Sequence, residues 1–439
     1  MAEALLIAAP ASGSGKTLIT LSLLALMRAR GVEVTSAKVG PDYIDPAFHA
    51  AACGRPCINL DPWAMSRAEL AHRLRRLSEA SELVLIEGVM GLFDGAPGPG
   101  PSSSADLAAM FSIPVVLVLD CARQGASVAA VARGFADFRA DVRIAGFILN
   151  NLASERHGAM LAAAVEEATG LPVVGRFLRR PELRLKSRHL GLVQAAERED
   201  LEAFLAQAAE AAGEDISPCR LANLTAPLAP EETAFRPLPP LAGRMAVARD
   251  EAFAFAYPHL LEGWRRQGAE ISFFSPLADE APAEDAQAIF LPGGYPELHA
   301  GRLAAAQHFM AGLRAMAERG VLIYGECGGY MTLGESLTDE RGVAHAMAGL
   351  LPLVASFAER RLHLGYRRLA HGSPLPFPAS LRGHEFHYAT ARATGRAEPL
   401  FRARDSQGLP LADMGLRRGS VMGSFAHVIA ADETRGDGR

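Results

Sequence analysis

Over its first 200 residues the chain alternates short apolar runs with segments of helical periodicity, and this alternation restricts the fold more than any other feature. Apolar runs occupy 4–9, 33–37, 82–87, 114–119, 143–149 and 172–175, and helical patterns fill 16–30, 66–80, 124–139 and 154–169. The runs ELVLIE (82–87) and PVVLVL (114–119) are almost wholly apolar, as strands covered on both faces must be. Strand–helix alternation predicts a parallel, doubly wound sheet with ligands at the carboxyl ends of its strands. Residues 226–240 (APLAPEETAFRPLPP) then carry five prolines and little periodicity, which reads as a linker. A second alternation follows at 244–249, 269–274, 287–292 and 320–325. The 439 residues are therefore expected to be α/β, with two doubly wound domains at 1–225 and 243–439 joined by a linker at 226–242.

Composition excludes several classes of function. The net charge is −5, the pI is near 6.2 and no basic run stands out, so a nucleic-acid or anionic-membrane footprint is not expected. No apolar run approaches the ~18 residues of a membrane span. The N-terminal MAEALLIAAPAS carries Glu3 instead of a basic leader and runs into a glycine loop, so it reads as a buried first strand of a cytoplasmic protein. Five cysteines at irregular spacing imply no disulfide framework, and Cys53 with Cys57 are too few for a structural zinc site.

The first strand leads into Pro10-Ala11-Ser12-Gly13-Ser14-Gly15-Lys16-Thr17 and then an apolar helical run. Against G-x-x-x-x-G-K-[ST], only the first glycine is missing, replaced by Pro10. Gly13 and Gly15 let backbone N–H groups around Ser14 turn toward phosphate oxygens, and the helix N-terminus adds partial positive charge. Lys16 is placed to reach the β/γ-phosphates of a nucleotide, and the Thr17 hydroxyl to bind Mg²⁺. Two later strand ends carry carboxylates: Asp42 and Asp45 in KVGPDYIDP, and Glu87 and Asp94 in EGVMGLFDG. A carboxylate after a buried strand completes Mg²⁺ coordination in such folds, which selects Glu87 first and Asp45 second. Asn150 ends a further strand on the expected nucleotide side.

In the second half, Ile-Tyr-Gly-Glu-Cys-Gly-Gly (323–329) runs from an apolar strand into a helix. Glycines beside a cysteine permit the sharp turn that presents a nucleophile, and a helix N-terminus should stabilise its thiolate. Cys327 is thus the candidate nucleophile, with His384, His387 and His427 as candidate bases. The PGGYPE loop at 292–297 offers N–H groups to a developing oxyanion.

Together these motifs resemble a known family. The G-x-C-G-G elbow, the PGGYPE loop and a late histidine resemble class I glutamine amidotransferases. Met331 replaces the commoner Gln, and Ile429 stands where the usual H-x-E places a triad Glu after His427. Both departures resemble the cobyric/cobyrinic acid subgroup, in which Cys and His act without that Glu. The phosphate loop, KVGPDYIDPAFH, IEGVMGLFDG, GFILNN and RHLGL resemble the dethiobiotin-synthetase-like ATPase half of cobyrinic acid a,c-diamide synthases, and GHEFHYAT continues the match. The resemblance implies that Cys327 attacks glutamine with His427 as base, while N–H groups of Gly294 and Gly328 hold the oxyanion. It implies that hydrogenobyrinic or cobyrinic acid is activated by ATP and Mg²⁺ through an acyl phosphate, with Asp42, Tyr43 and Asp94 organising the acceptor. L-glutamine, ATP and the corrin are the expected partners, with a homodimer as the assembly. Cobyric acid synthase and nickel-sirohydrochlorin diamidase share many of these motifs; a P-loop switch with an inert C-terminal domain would leave Cys327 unexplained.

Lysine usage adds one residue. Of 44 Lys and Arg only Lys16, Lys38 and Lys186 are Lys. Two of the three fall in the expected ATP site, where a compact ammonium is not replaceable by a planar guanidinium. Lys38 is therefore expected to be a phosphate or carboxylate ligand.

Overall fold

The computed structural model describes residues 2–185, 187–188, 191–192, 194–231 and 234–433. Lys186, and His189 and Leu190 of the RHLGL segment, lie outside the described residues. The chain divides into two compact units after Phe235, within the proline-rich stretch.

In the first unit seven parallel strands lie in the order Ile58–Leu60, Val34–Val39, Leu83–Glu87, Glu3–Ala8, Val115–Asp120, Ile144–Leu152, Val173–Leu178. The central strands are apolar because helices cover both faces of a parallel sheet; Leu5, Leu6, Ile7, Leu85 and Ile86 are fully buried. Helices Lys16–Ala29 and Leu201–Asp215 are among those packed on it. Register brings the chemistry together: Ile7 pairs with Glu87, and Glu87 pairs with Lys38 on the other side. Three strand ends therefore discharge their loops at one edge. The beginning of the expected linker differs from expectation. Ala226–Pro227 pairs antiparallel with Glu3–Ala4, and Leu228 N–H donates to the Ala2 carbonyl at 2.8 Å, so these residues belong to the first sheet.

The second unit begins as expected. Glu270–Phe274, Arg244–Ala248, Ala288–Leu291 and Leu322–Glu326 are parallel, and Val421–Ser424 joins them alongside Leu322–Glu326. Trp264, Phe290 and Tyr324 pack beneath this sheet, the last two rings stacked at 5.9 Å. The sheet then continues through antiparallel strands Met414–Arg418, Glu398–Arg404, His363–Ala370, Ser380–His387 and Ala426–Ala431. Their sequences mix Arg, His and Gly with apolar residues, as suits strands with one wetter face, and carry no long apolar run to announce them.

Candidate active sites

The first site is built on the loop between the first strand and the first helix. Gly15 has φ +94°, and a Cβ there would lie 2.1 Å from the Asn150 side-chain amide. Only glycine admits both the left-handed conformation and that approach. Asn150 Nδ2–H in turn donates to the Ser14 carbonyl at 2.9 Å, so Asn150 braces the loop. The Lys16 ammonium donates to the carbonyls of Met90 at 2.6 Å and Ala11 at 3.3 Å. Burial is the main influence lowering its pKa.

Around Thr17 lies a nearly solvent-free ion cluster. Thr17 Oγ1 donates to Glu87 Oε1 at 2.7 Å and reaches Asp45 Oδ2 at 3.3 Å. Lys38 Nζ bridges the same two oxygens, at 2.6 Å from Asp45 and 2.7 Å from Glu87. His49 Nε2 meets the other Glu87 oxygen at 2.6 Å, and Cys57 Sγ lies 3.5 Å from His49 Nδ1. Burial alone would protonate Glu87, but the Lys38 charge and His49 outweigh it and hold the carboxyl below its usual range. Burial opposes charge on Lys38 too, and Asp45 with Glu87 reverses this, raising its pKa. His49 is pushed up to about 10: burial is outweighed by Cys57 and Glu87. Asp45 is the weak member. Burial and the nearby Asp42 push it up to about 7 despite Lys38.

The convergent Thr17 hydroxyl and the Asp45 and Glu87 carboxylates form a hard oxygen set that fits Mg²⁺. Lys38, expected as a phosphate or carboxylate ligand, is here a carboxylate partner. Asp42 Oδ1 accepts the Ile44 and Asp45 N–H groups and starts the helix Ile44–Cys53, with Tyr43 at its N-cap. Asp94 is exposed and accepts the Gly91 N–H at 2.8 Å, holding the loop that carries the Met90 carbonyl. His49 was missed as a site residue, although it closes KVGPDYIDPAFH one helical turn after Asp45 on the same face.

The second site follows Leu322–Glu326. Cys327 has φ +46° and ψ −102°, a strained conformation for a side chain with a Cβ, held by its N–H on the Ser424 carbonyl at 2.8 Å. Glu326 is in register with Ser424, so the chain reaches His427 three residues beyond its neighbour strand's end. Gly293 lies between the Cys327 and His427 side chains. A Cβ there would meet His427 Cε1 at 2.3 Å, His427 Nε2 at 3.2 Å and Cys327 Cβ at 3.4 Å. A Cβ at Gly328 would stand 3.0 Å from the Gly294 nitrogen, so the two expected oxyanion donors are neighbours. Among the three histidines His427 flanks the cysteine. His387 instead bonds Glu385 at 2.9 Å and stacks on Phe425, while His384 pairs across the strands with His427 and is lowered to about 3, chiefly by burial.

One expectation fails. The helix after Cys327, Gly328–Leu333, has only six residues, and the thiolate is not favoured. Burial pushes the thiol up, and the Glu297, Glu385 and Glu326 carboxylates add to this against a single bond from Gly328 N–H. Cys327 is thus held as a thiol, which to act as a nucleophile would have to pass its proton to a base. Without substrate, iodoacetamide at neutral pH is expected to label exposed Cys219 at least about tenfold faster than Cys327. Peptide mass mapping reads the order, and Cys327 labelling first would contradict a protonated resting state.

Comparison with known proteins agrees with both halves. Residues 5–193 match the CobQ/CobB/MinD/ParA nucleotide binding domain, and residues 244–434 match the CobB/CobQ-like glutamine amidotransferase domain. A hydrogenobyrinate a,c-diamide synthase of Brucella anthropi is 56% identical over 97% of this chain and 98% of its own length. Those of Rhizobium meliloti and Mesorhizobium japonicum are 51% and 50% identical, each over 98% of this chain and 99% of its own.

Proposed function

Because the chain belongs to the hydrogenobyrinate a,c-diamide synthase family, we propose that it amidates the a and c acetate side chains of hydrogenobyrinic acid with nitrogen from glutamine, at the expense of ATP. It is a glutamine-using carbon–nitrogen ligase. The observation that carries the reading is the presence, in one chain, of a cysteine–histidine pair around Gly293 and a phosphate loop flanked by buried carboxylates. Neither a hydrolase nor a nucleotide switch requires both.

In this reading the Cys327 thiol gives its proton to His427 Nε2 as sulfur bonds to the amide carbon of glutamine. The amide π electrons move to oxygen, and the N–H groups of Gly294 and Gly328 donate hydrogen bonds to the oxyanion so formed. Collapse releases ammonia, which takes the proton from His427, and water then frees glutamate from the thioester. Ammonia must reach the other domain without being protonated in bulk water.

There the corrin carboxylate attacks the γ-phosphorus of ATP and expels ADP, giving an acyl phosphate that ammonia opens to the amide as inorganic phosphate leaves. Backbone N–H groups of Gly13, Ser14 and Gly15 cradle phosphate, Asn150 holds that loop in shape and Lys16 neutralises developing charge. Thr17, Asp45 and Glu87 would hold Mg²⁺, which when bound offsets phosphate charge. Asp42, Tyr43 and Asp94 are assigned to the acceptor end. The cycle runs twice per ring.

The test is direct. Purified protein given ATP, Mg²⁺, glutamine and hydrogenobyrinic acid is expected to yield the diamide by mass, with two ADP released per ring. Turnover of cobyrinic acid with none of the metal-free ring would move the acceptor assignment to the cobalt-bearing corrin.

A further inference from the structure

The usual third member of the amidotransferase triad has no equivalent after His427, because Ile429 occupies its place in the strand Ala426–Ala431. The structure nevertheless supplies a carboxylate from elsewhere. Glu326 Oε2 lies 3.6 Å from His427 Nδ1, and both side chains are about 3% exposed. We infer that Glu326, the residue immediately before the nucleophile, is the positioning carboxylate of this site. The inference rests on the reading of Cys327 and His427 as a glutamine-hydrolysing pair.

Three observations converge on it. The imidazole has its Nε2 on the Gly293 and Cys327 side, which leaves Nδ1 turned to Glu326. The carboxylate is itself fixed, since Oε1 accepts the Val428 N–H at 3.0 Å and the Tyr324 hydroxyl at 3.1 Å. Both anchors belong to the strands that carry the reactive pair, so Glu326, His427 and Cys327 are held as one unit. At 3.6 Å the contact is longer than a formed hydrogen bond, as catalytic bonds often are before substrate closes the site.

The chemical consequence concerns the tautomer. His427 takes the Cys327 proton on Nε2 only if its own proton already sits on Nδ1. A carboxylate facing Nδ1 selects that tautomer and then stabilises the imidazolium formed when the S–H bond breaks and the Nε2–H bond forms. Glu326 touches no substrate atom in this scheme and acts through His427.

Glu326→Gln separates this role from a structural one. The Val428 and Tyr324 donors both require an acceptor at Oε1, so the glutamine carbonyl takes that place and both anchoring bonds survive. The amide NH₂ then faces Nδ1 as a donor and drives the proton to Nε2, where it blocks the transfer. For glutamine hydrolysis kcat is expected to fall about 10²–10⁴-fold with KM within a factor of about three of wild type. Glu326→Asp, which keeps the charge at a shorter reach, should lie between the two. Amidation supported by ammonium, which bypasses His427, should be unchanged. A kcat within threefold of wild type in Glu326→Gln overturns the assignment, as does a loss confined to KM or melting temperature; should that variant fail to fold, Glu326→Asp with unchanged kcat overturns it. If instead the wild-type protein releases no glutamate from glutamine, the underlying reading of Cys327 and His427 fails.

Discussion

Cys327→Ala is expected to lose glutamine-dependent amidation by roughly 10⁴-fold or more, and to keep ammonium-dependent amidation within about threefold of wild type. The size of the loss follows from the chemistry. No other described cysteine shares the features of Cys327: Cys53, Cys57 and Cys121 are buried in the first unit, and Cys219 is exposed on it. In the proposed reaction collapse of the tetrahedral adduct leaves a thioester, and without the sulfur His427 would have no proton to accept and water no bound acyl group to attack. Sparing of the ammonium reaction follows from the division of labour. ATP binding and acceptor activation are assigned to residues before Phe235, whereas Cys327 belongs to the second unit. The substitution also leaves the strained turn in place, because alanine carries the same Cβ at φ +46° that cysteine does. Product mass with ¹⁵N-ammonium and with ¹⁵N-amide glutamine, measured in parallel, separates the two nitrogen sources. Residual glutamate release by Cys327→Ala at a tenth of the wild-type rate would sink the nucleophile assignment. A parallel loss of the ammonium reaction would show instead that the elbow supports the synthetase half.

These two chemistries differ in how far the sequence disclosed them. The phosphate loop and the cysteine elbow are contiguous, so their glycines, nucleophile and flanking apolar strands can be read in one pass. What brings Lys38 onto Glu87 is register between parallel strands whose residues are 49 positions apart, and no local pattern encodes that. Lys38 stood out only because lysine is rare in this chain. Glu326 was visible in the segment 323–329, but a residue next to a cysteine is rarely expected to face the histidine beside that cysteine. The elbow's positive φ and the pairing of Glu326 with Ser424 make that possible. The thiolate expectation failed for a different reason. A helix of one and a half turns offers a weak dipole, whereas complete burial beside three carboxylates is a large and opposite effect. The antiparallel half of the second sheet stayed hidden because strands such as His363–Ala370 (HLGYRRLA) alternate weakly and face two environments.

The buried ion cluster supports a second large effect. Lys38→Met is expected to destabilise the first unit by about 3–5 kcal/mol, the cost of removing one partner from a buried ion pair. Lys38 is 3% exposed and joins two carboxylates at 2.6 and 2.7 Å, so its loss leaves Glu87 and Asp45 facing each other across a thioether. His49 still neutralises Glu87 at 2.6 Å, which identifies Asp45 as the group left uncompensated. Asp45 is already pushed up to about 7 by burial and by Asp42. Without the ammonium it moves further the same way and keeps a proton at neutral pH, limiting the damage there. The sign of the pH dependence follows. A carboxyl whose folded pKa is raised binds more protons folded than unfolded, so its contribution is present below the unfolded value near 4 and is lost as pH rises through the folded value. The stability gap between variant and wild type should therefore widen between pH 6 and pH 9, as read by urea unfolding at fixed temperature. Lys38→Arg should restore little, because a planar fork cannot occupy the point between two oxygens that a single ammonium fills. Synthetase activity should fall in both variants while glutamine hydrolysis, assigned to the second unit, persists. A Lys38→Met protein as stable as wild type across that pH range would mean that the two carboxylates share a proton in the native protein and never needed the lysine.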